Sequence, residues 1–433
     1  MAKKVLIFTY YWPPGSGPGV QRWLKFTKFL PENNILPTVI TVRDGSYPNT
    51  DENLVKDIHP DVRVIKTDSW DPFELYNRLQ GKKGKSISVG LTGIKDSKSV
   101  FQRLAMFIRA NFFIPDARKG WNNYAIKAGR ALLKNQSFDA IITTGPPHST
   151  HLIGLKLAKE FGVKWIVDFR DPWTKIYYNK MFPRSKRTEK KDARLEQTVL
   201  EKADRVITIS PGLGEDLSYT GKKVDIVYNG FDPSDMDLSA RDSGTNTGKF
   251  VLAYTGNFKP NQNCPELWVV LEKICKENSQ FKKDLQIALT GNVHPQVLED
   301  IKARGLGNNL ELEGFVSHNE ATTRMRAATA LLFIIPRTDS NRYILTGKIF
   351  EYLASGTPIV AIGPPRGDAA KIISEAERGT MFDYSDTEAI EQLILDLYNH
   401  HRDGSLEKEN TDAVFGFSRS EQTKKLVEVI NTL

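Results

Sequence analysis

Short apolar runs of β type recur along this chain, each followed by a stretch with helical spacing, and this alternation constrains the fold more than any other feature. Residues 5–10, 38–42, 62–66, 140–144, 165–169, 205–210 and 225–228 carry a first series, and 250–254, 285–290, 310–312, 330–335 and 358–362 a second. A strand that rejoins its sheet through a helix runs parallel to its predecessor, so each series predicts a doubly wound parallel sheet in an α/β fold. Between the series, residues 233–249 are rich in Ser, Asp, Gly, Thr and Asn and poor in apolar side chains, the composition of a linker. Two Rossmann-like domains are therefore expected, 1–240 and 241–433, each long enough to bury its own core. The last helical stretch, 420–433, either ends the second domain or crosses back to the first. Ligands of open α/β sheets bind beyond the carboxyl ends of the strands, so two facing sheets would frame a central cleft.

Composition narrows the setting. No apolar run approaches the roughly 20 residues needed to cross a bilayer. The apolar start at 5–11 is short and meets Trp12-Pro13-Pro14 with no small-residue cleavage site, so it reads as a strand and not as a signal peptide. Cys264 and Cys275 have neither metal-ligand nor redox spacing, and so few cysteines argue for a reducing, cytoplasmic compartment. Sixty Lys and Arg against 52 Asp and Glu give a formal charge of +8, which favours anionic partners such as nucleotide sugars and acidic lipids. Nucleic acid ranks lowest among them, because no zinc-finger, helix-turn-helix or RNA-recognition signature accompanies the charge.

The segment 346–362 carries the sharpest local signal. Thr346 and Gly347 open a helix, Gly356 is placed to end it in a left-handed cap, and Pro358 blocks continuation before the apolar run 359–362. Lys348 and Glu351, three residues apart, share a face near the helix start, where a phosphate would meet the lysine while the glutamate accepts sugar hydroxyls. An exposed Lys–Glu pair on an ordinary amphipathic helix fits the same spacing. From the residues alone both readings stand.

This segment closely resembles the donor-site motif of glycosyltransferase family 4, retaining sugar transferases of the GT-B fold, in which a Lys and a Glu precede a Leu-Ala-Ser-Gly-Thr-Pro-like stretch. Gly15-Ser16-Gly17-Pro18-Gly19, Asp168-Phe169-Arg170-Asp171-Pro172-Trp173, Tyr228-Asn229-Gly230-Phe231-Asp232, Thr255-Gly256-Asn257 and Gly314-Phe315-Val316 fall in the family's order along the chain. The resemblance implies a donor site formed by Gly17, Gly19 and Arg22 in the first half. In the second half it implies Gly256, Lys259, Gly314, Phe315, Val316, Leu345, Thr346, Lys348 and Glu351. The segment 314–316, with His318 and Glu320, would hold the nucleobase, UDP- or GDP-linked donors being the leading candidates. Departure of the diphosphate would be stabilised by Lys348 and Lys259 without a metal ion, and no other cofactor is implied. Asp235-Met236-Asp237 spells a metal-binding pattern of another transferase class, but it stands at the entry to the polar linker, where acidic residues are common. Two positions depart from the family: Tyr343 stands where many relatives have the first of two glutamates, and Arg170 where many have a histidine.

Further residues are candidates for chemistry. The loop 145–151 follows one strand and 168–173 follows the next, so His148, Asp168, Arg170 and Asp171 should converge as the catalytic group. An Arg170 ion pair to Asp168 or Asp171 that merely orders the loop, or a His148 that only starts a helix, fits equally. Likewise the glycines at 15–19 suit either a phosphate loop or a tight strand-to-helix turn.

Phe101, Leu104, Ala105, Ile108 and Phe112 recur at helical spacing beside Arg103 and Arg109. Residues 173–191 mix Lys175, Lys180, Arg184, Lys186, Arg187, Lys190 and Lys191 with Ile176, Tyr177, Tyr178, Met181 and Phe182. Such mixtures suit peripheral attachment to an anionic membrane, from which a glycan or lipid-linked acceptor would be reached; a core-packed helix with solvated lysines is the alternative. A GT-B sugar-nucleotide epimerase, a phosphorylase and a non-catalytic sugar-nucleotide-binding scaffold protein remain as rivals.

Overall fold

The computed structural model describes residues 2–45, 47, 49–70, 100–176, 179, 182–235, 248–339, 341–408 and 411–433, with side chains from 106 onward in the helix that begins at 100. Most of the expected linker, including Met236 and Asp237, lies outside the described residues. So do Tyr177, Tyr178, Lys180 and Met181, and the side chains of Phe101, Arg103, Leu104 and Ala105. The chain divides into two units, Met1–Tyr228 with Gln422–Leu433, and Asn229–Glu421. The division falls after Tyr228, ahead of the 240/241 boundary expected from composition, because Phe231 already pairs with Ser418 of the second unit.

The first unit holds β1 (Lys3–Phe8), β2 (Ile35–Val42), β3 (Arg63–Thr67), β4 (Ala140–Gly145), β5 (Lys164–Phe169), β6 (Arg205–Thr208) and β7 (Val224–Ile226) in the order β3-β2-β1-β4-β5-β6-β7. Their pairings are parallel, as crossover helices require. Both sheet faces are covered, so the strands read as continuous apolar runs: Val5 and Ile7 pack on one side, Leu6 and Phe8 on the other. Leu426, Val429 and Ile430 from the last helix, Arg419–Asn431, complete the first of these cores.

The second unit repeats the plan with β8 (Phe250–Thr255), β9 (Leu285–Thr290), β10 (Leu310–Glu313), β11 (Ala330–Ile334), β12 (Ile359–Ile362) and β13 (Met381–Phe382), ordered β10-β9-β8-β11-β12-β13. In both sheets the first strand of the unit is flanked by its second and fourth, which makes its carboxyl end the topological switch point where such sheets bind ligands. Those ends are Phe8 and its glycine loop in one unit, Thr255 and Gly256 in the other. Among the described residues no helix is long and apolar enough to cross a membrane.

Candidate functional site

At the switch point of the second sheet, Gly256 leaves β8 with φ +103°, a conformation that disfavours any side chain. Its N–H donates to the Thr290 carbonyl (2.8 Å), so the glycine supplies room and not a free donor. Gly291 makes the matching turn after β9 at φ +112°, so close that a Cβ on it would sit 2.6 Å from the Gly256 carbonyl oxygen. The Gly291 N–H in turn donates to the carbonyls of Glu313 (2.8 Å) and Gly314 (3.1 Å), aligning the ends of β8, β9 and β10. Gly291 was not among the expected site residues. Its signal was present, since Thr290-Gly291-Asn292 repeats Thr255-Gly256-Asn257 one strand later.

Lys348 reaches this turn from the start of the helix Lys348–Ala354, which Gly347 opens without a side-chain cap and Gly356 (φ +73°) follows. Its ammonium donates to the Thr255 carbonyl (2.8 Å) and lies 3.8 Å from the centre of the Tyr254 ring. A Cβ on Gly256 would come within 3.4 Å of it. Burial lowers the Lys348 pKa to about 7, with Glu351 opposing and Lys259 reinforcing the shift. Tyr254 is thus a part of the site that strand periodicity hid as an ordinary core residue. Tyr352, on the same short helix, fixes the strand end through its hydroxyl, which accepts from the Thr255 N–H (3.0 Å).

The exposed Lys348–Glu351 pair, the alternative reading of this spacing, does not form; the lysine turns to the carbonyl and the ring instead. Lys259 is exposed after β8, close enough to Lys348 for the two charges to repel. Leu345 and Thr346 are half-buried before the helix, and the Thr346 hydroxyl oxygen is buried with no hydrogen-bond partner among the described residues. Gly314 has open space around it, Val316 is half-buried, and Phe315 is 95% exposed. Tyr343, in the position of the missing carboxylate, lies beneath the Arg342 guanidinium (4.4 Å).

The first unit handles its charged residues differently. Asp168, at the end of β5, is wholly buried. It accepts from Arg22 Nη2 (2.8 Å), Trp23 Nε1 (2.7 Å) and Thr144 Oγ1 (2.8 Å), while Arg22 Nη1 donates to the Val227 carbonyl (2.9 Å). Two expectations are corrected here. Arg22 does not face a phosphate, because its guanidinium is 1% exposed and turned to Asp168. Asp168 is not a group open to substrate, because its oxygens are taken up inside the core. Nor does Arg170 pair with it: Arg170 donates to Thr144 Oγ1 (3.2 Å) and to the Pro146 carbonyl.

The glycine loop serves this arrangement. Gly17 caps the helix Pro18–Phe29 at φ +106°, and a Cβ on Gly19 would collide with Arg170 Nη1 at 2.5 Å. His148 starts the helix Ser149–Phe161 and is buried, its ring stacked on Trp173 (5.1 Å, 5° between planes). Burial, helped by His151 and Arg170, holds its pKa well below the ordinary histidine value, so it is neutral at neutral pH. Asp171 keeps solvent access, yet the protein around it raises its pKa to about 6 against the pull of Arg170. Of the expected catalytic group, therefore, Arg170 and Asp171 retain access, whereas Asp168 and His148 are interior.

Residues 249–400 match the family described as Glycosyl transferases group 1, and residues 101–230 the Glycosyl transferase 4-like domain. The chain belongs to the family-4 glycosyltransferases. No curated protein sequence matches this transferase. Its fold resembles that of sucrose-phosphate synthase from Thermosynechococcus elongatus (13% identity, 99% of this chain and 98% of that one, TM-score 0.60). It also resembles Anabaena HepE, solved with UDP-glucose (15% identity, 99% and 100%, TM-score 0.60), and TarM from S. aureus, solved with UDP, fondaparinux and alpha-GlcNAc-glycerol (11% identity, 99% and 100%, TM-score 0.57). The glycosyltransferase has the GT-B fold, two Rossmann-like units with parallel sheets of seven and six strands.

Proposed function

We propose that this glycosyltransferase moves a sugar from a nucleoside diphosphate donor, UDP- or GDP-linked, to a glycan or lipid-linked acceptor, with retention and without a metal ion or other cofactor. The setting proposed is the building of a surface polysaccharide or glycolipid, in the cytoplasm at the inner face of the membrane. One observation carries the donor reading: the Lys348 ammonium is fixed at the switch point of the second sheet beside a glycine turn, with Lys259 near enough to repel it and no ion pair to a carboxylate among the described residues. Two cations at the end of a strand provide fixed positive charge for a departing diphosphate, the role a metal plays elsewhere. Glu351, one turn along, makes no ion pair among the described residues and would accept sugar hydroxyls in this reading. The complexes of HepE with UDP-glucose and of TarM with UDP favour a uridine donor.

A thermal-shift screen of UDP, GDP and ADP sugars in EDTA, on the wild type and on Lys348→Ala and Glu351→Ala, tests the reading. Stabilisation by one nucleotide family, lost in both variants, is the expected result. No stabilisation by any donor would remove its support. The anomeric configuration of the product, read by NMR, then decides retention.

A further inference from the structure

We propose that the first unit docks onto a bilayer carrying anionic lipids through a surface made by the cations of the helix Lys186–Lys202 and the exposed Phe107, Ile108 and Phe112 of the helix Val100–Phe112. This rests on the proposed work at a membrane and identifies the surface that would touch it. Four described side chains of the basic and aromatic stretch 173–191 are committed elsewhere and lie outside that surface. Ile176 is buried, Lys175 pairs with Asp216 (2.8 Å), Arg184 is held against the buried Asp192, and Phe182 lies under Arg109.

The helix that follows divides its faces cleanly. Thr188, Asp192, Glu196, Val199 and Leu200 are buried, whereas Arg187, Lys190, Lys191 and Arg194, at spacings of three and four, point outward together. None of these four makes an ion pair among the described residues, and with Leu195 and Thr198 they line a concavity of about 450 Å³. Four like charges on one face repel one another, a cost that an anionic partner relieves.

The helix Val100–Phe112, tied to the start of the cationic helix, exposes Phe107 (45%), Ile108 (41%) and Phe112 (71%). Asn111 locks the two helices together. Its amide donates to the Pro183 carbonyl (2.8 Å), and its oxygen accepts from the Ser185 N–H (2.8 Å) and the Thr188 hydroxyl (2.7 Å). Exposed aromatic side chains on one helix, tied through Asn111 to another that carries unneutralised cations, match the two layers of a membrane interface, phosphates outside and acyl chains beneath. A polyanion in solution would use the cations but leave the phenylalanines without a role.

The test is co-sedimentation of the full chain with vesicles of phosphatidylcholine alone and with a third of phosphatidylglycerol, at low and high salt. Binding only to the anionic vesicles is expected. It should weaken roughly hundredfold in the triple variant Arg187→Gln, Lys190→Gln, Lys191→Gln, from a factor of about five per cation near such a surface. It should also weaken in Phe107→Ser with Phe112→Ser. Wild-type protein left in the supernatant at low salt, or a triple variant that sediments like wild type, overturns the proposal. So does a concentration-dependent dimer abolished by the phenylalanine substitutions, which would give this face to a second copy of the chain. Donor-induced thermal stabilisation of the same preparations separates the two readings: vesicle binding without donor response keeps the docking surface and sinks the donor site, and the reverse result does the opposite.

Discussion

Both sheets end in charged residues at their carboxyl edges, but the two units treat those charges in opposite ways. In the first, Asp168 and Arg22 meet in the interior with Trp23, Thr144 and the Val227 carbonyl completing the shell, so no polar direction of the carboxylate is left for a ligand. In the second, Lys348 rests on one carbonyl and one ring, with Glu351 and Lys259 acting on its charge in opposite directions and no ion pair formed among the described residues. A saturated charge holds a fold together, while a partly satisfied one waits for a partner. The contrast is a sorting rule for charged strand ends that look alike in sequence.

The largest expected effect breaks the saturated pair. Asp168→Ala leaves a guanidinium buried without its counter-ion, and removing one partner of such a pair costs about 3–5 kcal/mol. Urea unfolding should show that loss, with donor affinity unchanged in whatever protein folds. A stable Asp168→Ala variant that has lost turnover would return Asp168 to the catalytic group. Lys348→Ala is expected to do the converse. Charge-assisted hydrogen bonds are worth about 1.5–3 kcal/mol, so donor affinity should drop by about tenfold to a hundredfold in calorimetric titration. The unfolding midpoint should hold or rise slightly, since a poorly solvated ammonium is being removed.

That rule also explains what could be read without coordinates. The alternation of apolar runs gave away both sheets, because parallel strands covered on two faces must be apolar throughout and their crossovers must be helical. β13, two residues long, left no run to detect. Lys348, Gly256 and Lys259 were picked out through the family resemblance, the spacing of Lys348 and Glu351 alone leaving two readings, and the structure brings Lys348 to the Gly256 turn. Arg22 and Asp168 were misread because sequence shows that a charge exists and not whether its partner lies inward. Here the partner is 146 residues away, beyond the reach of any local pattern. Tyr254 was hidden for a related reason: a strand aromatic is normally core, and only the position of Lys348 above it gives it a second task.

A smaller effect sharpens the comparison through pH. Lys348 has its pKa lowered to about 7 from 10.5, so between those values the folded protein binds fewer protons than the unfolded chain. Stability therefore gains from this group as pH rises across that window, and the gain is absent below pH 7. Donor binding runs the other way, because a diphosphate prefers the ammonium form. Affinity should fall as pH rises above 7, by at most about tenfold per unit, the limit for a single proton. Titration calorimetry in two buffers of different ionisation enthalpy should count a fraction of a proton taken up at pH 7.5. In Lys348→Ala the uptake should vanish; if it persists, the proton belongs to another group.

The smallest effect separates two glycines with nearly the same backbone. Gly17 and Gly256 have φ +106° and +103°, where a Cβ costs about 1–2 kcal/mol whatever surrounds it. Their neighbourhoods differ: among the described residues nothing lies within 4 Å of a Cβ on Gly17, whereas one on Gly256 approaches Lys348 Nζ at 3.4 Å and Cε at 3.7 Å. Gly17→Ala and Gly256→Ala should thus lose similar stability in urea unfolding, but only Gly256→Ala should also weaken donor binding, by moving the ammonium off the Thr255 carbonyl. Equal losses of donor affinity would mean that the first glycine loop meets the donor as well. The unsatisfied charge of the second unit would then be only part of the site, and the division of labour between the two sheets would have to be redrawn.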